Sequence, residues 1–269
     1  MIPLFLALAL APAPTPLEAV FHHLYNCDFA AAHAVLNEAT PKDPDNPLLY
    51  SVRAATYLYA EMDRLRILET DFFIDDKKVS TKKKLQPDPN VRQKFFQAVE
   101  DARQRANPRI TAHPDDRDAL FALCMSASVV TDYTALVERR QWRSVLLARQ
   151  TNAYAQKLLK LNPPFYDAHL TVGTVEYILA SLPFFLRWLV HFDQIHGDKE
   201  KGIENLKLVA HHGQYYGPFA KILLAVVYLR EKKPNEARGY LAEFARDYPG
   251  NPLIKRELEK VSRQLAGKK

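Results

Sequence analysis

Residues Pro218 to Pro252 read PFAKILLAVVYLREKKPNEARGYLAEFARDYPGNP, and the spacing of their apolar residues decides the fold. In the first half Phe219, Ile222, Leu223, Val226, Val227 and Arg230 recur at i, i+3, i+4 and i+7, which lays one stripe along a helix face. Ala237, Tyr240, Leu241 and Phe244 repeat the pattern in the second half. Lys232-Lys233-Pro234 leaves room only for a short turn, and Tyr248-Pro249-Gly250 stops the second helix. Two such helices hide their stripes by packing antiparallel. A lone hairpin still leaves much apolar surface wet, so the stretch predicts a stack of hairpins.

The rest of the chain supplies the neighbours. Leu17 to Asn26 and Asp28 to Thr40 predict a first hairpin that turns at Asn26-Cys27-Asp28, with Asp28 capping the second helix. A second begins at Pro47, its first helix expected to run to about Phe73 and its partner over Asn90 to Ala106, with Phe95, Ala98, Val99 and Ala102 apolar. After a break at 107 to 114, Asp115 to Val137 and Gln141 to Leu161 predict a third. The fourth opens with Tyr166, Ala168, Val172 and Gly173, continues through Leu179, and restarts at Gly197-Asp198 toward Ile203, Leu206 and Val209. Leu253 to Leu265 alternates Lys, Arg and Glu around a narrow apolar stripe, as a terminal cap facing water should.

In this register the Pro218 stretch resembles the tetratricopeptide repeat, a hairpin of about 34 residues. The family's small or apolar interhelical positions fall on Leu224, Ala225 and Tyr228, then on Ala237, Leu241 and Phe244, with Pro249 closing the unit. Lys221 stands where the family prefers an aromatic. The first unit matches at Phe29, Ala32, Leu36, Ala39 and Pro44, the second at Tyr50, Ala54 and Tyr57, and the fourth at Val172-Gly173. A divergent bacterial member of the family is the resemblance. It implies an all-α, right-handed superhelical solenoid of about five antiparallel hairpins with a C-terminal capping helix, spanning 17–269 with insertions at 69–90 and 182–199. It also implies a concave face formed by the first helix of each hairpin. The groove positions of that face fall on Leu48, Ser51, Ala55 and Leu58 in the second unit and on Phe219, Ile222, Val226 and Leu229 in the fifth.

Composition agrees with an all-α chain. Eight Gly are few for the tight connections of a sheet, while 18 Pro suit helix starts and ends. The formal charge of +6 permits an anionic partner without requiring one. Lys77, Lys78, Lys82, Lys83 and Lys84 are matched from Glu69 to Asn90 by Glu69, Asp71, Asp75, Asp76 and Asp88, and no aromatic among the lysines could stack a base. A solvated loop is expected there, and no nucleic-acid partner. Ile2 to Ala11 is an apolar run followed by Pro12-Ala13-Pro14-Thr15-Pro16, which reads as an export leader over 1–16 and a periplasmic or envelope location. The missing Lys or Arg before the run leaves a cytoplasmic protein as the alternative. Cys27 and Cys124 fall in different hairpins and are expected to be free thiols.

No phosphate loop, GxSxG elbow, HExxH or zinc spacing occurs. His191, Asp193 and His196 are the one local cluster, without the pairing that puts two ligands on one helix face. No cofactor, metal or enzymatic activity is expected. The chain reads instead as a scaffold that binds a protein or peptide in an apolar concave groove. The alternative is a peripheral membrane protein that docks through 182–192, where Phe184, Phe185, Arg187, Trp188 and Phe192 cluster. Four such aromatics in water would exceed the patch a monomer usually exposes, so this insertion either fills the concave face or forms a docking surface.

Overall fold

The computed structural model describes residues 14–68, 85–182 and 197–267, and every regular element among them is helical. Within these residues the helices are α1 (Pro16–Tyr25), α2 (Phe29–Ala39), α3 (Pro47–Arg64), α4 (Pro89–Ala112), α5 (Arg117–Asp132) and α6 (Gln141–Leu161). They continue as α7 (His169–Ser181), α8 (Lys199–His212), α9 (Gly217–Arg230), α10 (Pro234–Asp247) and α11 (Pro252–Ala266). α1 to α10 pair in order as five antiparallel hairpins, and α11 packs on α10 as the cap. The leader before residue 14, the lysine cluster and the aromatic insertion lie outside the described residues.

The prolines do what the composition implied. Pro16, Pro47, Pro89, Pro234 and Pro252 occupy the first helical position, where the missing N–H costs nothing. Short polar side chains cap helix starts, with a proline behind Asn46 and without one elsewhere: Asp28 accepts from the Ala31 N–H, Asn46 from Leu48, Asp116 from Ala119 and Asp198 from Lys201.

Hairpin packing follows the repeat register. Leu224, Ala225 and Tyr228 of α9 are buried with Ala237, Leu241 and Phe244 of α10, and Ala32, Leu36 and Ala39 are buried in α2. Lys221 is sunk between the same two helices, its Nζ 3.2 Å from Glu243 and 3.3 Å from Asp247. An ion pair thus joins α9 to α10 where the family uses an aromatic ring. In the fourth hairpin α7 and α8 cross at Gly173 and Gly202, so close that a Cβ on Gly173 would lie 2.8 Å from the Gly202 carbonyl oxygen.

Two boundaries differ from the sequence reading. α3 stops at Arg64 instead of continuing toward Phe73, because Arg66 adopts a left-handed φ of 58° and the Ile67 N–H turns back to the Met62 carbonyl. Glu61 fixes this end. Its carboxylate, 2% exposed, accepts from Arg64 Nε and from the Asp88 N–H, both at 2.8 Å, and so ties α3 to the start of α4 across residues 69–84. α4 in turn runs through the expected break to Ala112 with Pro108 inside it. Pro108 is exposed, so its ring and the carbonyl it leaves unpaired face water.

α5 lies at the centre of the stack, against α3, α4 and α6. The stretch Arg117–Val137 is apolar and long enough to cross a membrane by composition, and its burial among helices accounts for that composition. After Asp132 the helix widens into one π turn, Tyr133–Val137, closed by Glu138 N–H donating to the Tyr133 carbonyl.

Candidate functional site

The stack curls until its first hairpin meets its last. Tyr25 donates its hydroxyl to the Tyr215 carbonyl at 2.6 Å, Asn251 Nδ2 donates to the Tyr25 carbonyl at 2.7 Å, and Gly250 N–H donates to Asn26 Oδ1 at 3.0 Å. Rings fill the seam: Phe21 stacks on Tyr215 at 5.1 Å, Tyr25 meets Phe244 and Tyr248 edge-on, and Phe121 of α5 stacks on Tyr215 at 6.0 Å. Asp167, 3% exposed, holds the loop that supplies these tyrosines by accepting from the N–H groups of Gln214, Tyr215 and Tyr216 at 3.1, 3.1 and 2.7 Å. Burial pushes the Asp167 pKa above the usual carboxylate range, and the three amide bonds pull in the opposite direction.

The stack divides the residues expected to line the groove. Leu48, Ser51, Ala55 and Leu58 are buried inside the chain. Ser51 Oγ donates to the Ala122 carbonyl at 2.9 Å and lies 2.9 Å from Ser126 Oγ, so this part of α3 is sealed by α5. Phe219, Ile222, Val226 and Leu229 of α9 are half-buried and keep one side open. Phe184, Phe185, Arg187 and Trp188 lie outside the described residues.

Opposite the open row stands Tyr59 of α3, its ring centroid 6.1 Å from that of Phe219. Burial raises the Tyr59 hydroxyl pKa, and the nearby charge of Asp132 adds to the shift. Asp132, at the end of α5 where the π turn begins, meets solvent with part of its surface while protein crowds it on the other sides. Within the described residues its carboxylate has no ion-pair partner, and the crowding pushes its pKa up to about 7. The half-buried row of α9, the Tyr59 ring of α3 and the unpaired acid of α5 thus lie close together. The signal for Asp132 in the sequence is faint: it is the one acid between Ala119 and Val137.

The thiols are separate and unreactive. Cys124 is buried, its pKa pushed up to about 12, and that of half-buried Cys27 is raised to about 11, both chiefly by desolvation. Neither supplies thiolate at neutral pH.

The fold defines a class, the tetratricopeptide-like helical-repeat solenoids. Among solved structures the chain is similar to a thermophilic TPR protein of Thermus thermophilus, with a TM-score of 0.51 at 14% identity, covering 91% of this chain and 96% of that one. No family model matches the sequence, and none of the curated proteins does.

Proposed function

We propose that the chain is a non-enzymatic helical-repeat scaffold that holds a protein segment in the recess between α9 and the ends of α3 and α5. The observation that carries this reading is the half-open row Phe219, Ile222, Val226 and Leu229, with Tyr59 across from it and Asp132 without a cation. Apolar side chains left part-exposed along one helix favour an apolar partner face, in the manner of a helix laid in a groove. A crowded carboxylate with no cation of its own favours a Lys or Arg on that partner. The segment is thus an amphipathic helix or extended stretch with apolar anchors and one basic residue.

The test uses peptides selected from a random displayed library against the full chain and measured by titration calorimetry. Val226→Asp is expected to abolish their binding while the chain keeps its helical circular dichroism spectrum, and Asp132→Asn to weaken basic peptides about tenfold or more, the scale of a charge-assisted hydrogen bond. Selected peptides that bind Val226→Asp as well as wild type would place the docking site elsewhere.

Residues 1–16 are proposed as an export leader, on the strength of the apolar run Ile2 to Ala11 and the small residues after it. Amino-terminal sequencing of the protein recovered from the cell envelope tests this, and an intact Met1 start on cytoplasmic material would refute it.

A further inference from the structure

The outer face of the third hairpin carries a second surface, which the recess does not use. Residues 139–161 contain Arg139, Arg140, Arg143, Arg149, Lys157 and Lys160 and no Asp or Glu. On α6 Trp142 and Leu146, one turn apart, are 60% and 62% exposed, the most exposed large apolar side chains among the described residues. Arg143 is exposed beside them. Where α6 begins, the π turn and α4 enclose an open cleft of about 500 Å³ whose polar lining includes Arg92, Arg140, Arg143, Gln93 and Gln97. Its single acid, Glu138, accepts from Arg92 at 3.3 Å and lies 3.7 Å from Arg140. One carboxylate thus stands against three guanidinium groups, and the cleft keeps a net positive charge.

We propose that this face docks on an anionic phospholipid bilayer, with Trp142 and Leu146 entering the interface and a lipid phosphate seated in the arginine cleft. Trp and Leu projecting from the outer side of a basic, acid-free helix are the pattern of an interfacial helix, and indole favours the headgroup level. Three arginines around a cleft of headgroup size match a phosphate in charge and in forked hydrogen-bond geometry. Charge complementarity and insertion act together here, whereas an acidic protein would leave the projecting Trp142 and Leu146 without a pocket. The proposal does not rest on the peptide-binding reading of the inner recess and survives its failure.

The test is co-sedimentation of the full chain with vesicles of phosphatidylcholine alone and of phosphatidylcholine mixed with phosphatidylglycerol. Binding to the mixed vesicles only is expected, weakened about fivefold by each of Arg140→Gln and Arg143→Gln. The double variant Trp142→Ala, Leu146→Ala is expected to lose binding while melting like wild type, since both side chains are exposed. In Trp188→Phe, Trp142 is the sole tryptophan, and its emission is expected to shift to the blue when mixed vesicles are added. Failure to sediment with the mixed vesicles, or sedimentation undiminished in these variants, overturns the proposal. So does a Trp142 shift produced by polyglutamate and not by vesicles, which would assign the face to an acidic protein.

Discussion

A methyl group on Gly202 would sit 2.9 Å from both the Gly173 carbonyl oxygen and the Tyr177 amide nitrogen, and neither backbone atom can move without parting α7 from α8. Gly202→Ala is therefore expected to cost about 1–3 kcal/mol, as overpacking does, and Ala237→Leu, at a fully buried position on α10, should cost a similar amount. Gly239 is the control, because a Cβ there meets nothing within 4 Å. Gly239→Ala should stabilise by about 0.5–1 kcal/mol by removing the helix penalty of glycine. Thermal melts of the three variants check the sign at each position. Asp132 adds a dependence on pH. Its folded pKa of about 7 exceeds the unfolded carboxylate value of about 4, so stability from its proton is complete below the unfolded value and lost as pH rises through 7. Asp132→Asn should thus melt increasingly above wild type between pH 5 and pH 8, by about 2–4 °C for each kcal/mol. His33, whose pKa is lowered to about 4 by burial and by Arg53 and Lys94, acts with the opposite sign. It is present in both proteins and cancels in the difference.

Among the elements, those fixed by local spacing were legible in the sequence. The register of α9 and α10, the turn at Cys27 with its cap at Asp28 and the helix restart at Asp198 depend on residues a few positions apart, and each forms where its pattern lies. Distant residues decide the boundaries that differ. α3 ends where Glu61 is captured by the Asp88 amide, and no periodicity in MDRLRILETDFF announces that partner. Glu61→Ala should strip the Asp88 N–H of its acceptor and cost about 1–3 kcal/mol, read as a lower denaturant midpoint. Lys221 departs from the family pattern in sequence and keeps the family's contact in space through Glu243 and Asp247. The half-open state of Phe219 to Leu229, and the sealing of Leu48 to Leu58, were not legible, because the stripe on a helix face does not say which later helix will cover it.

At the scale of the whole molecule the chain closes on itself: the end of the first hairpin docks on the end of the fifth. Phe21, Tyr25, Tyr215 and Tyr248 are ordinary core aromatics to a sequence reading, yet they form the seam that joins the ends. The most direct test is a distance across that seam. The rings of His22 and Tyr248 are 5.6 Å apart, so nitroxide labels at His22→Cys and Asp247→Cys, in a Cys27→Ser background, report on it by pulsed dipolar spectroscopy. Closure predicts one narrow distance of no more than about two helix layers, roughly 20 Å. An open stack, with the second, third and fourth hairpins between the labels at about 8–10 Å per helix layer, would give a broad distance of about 30 Å or more and would contradict it.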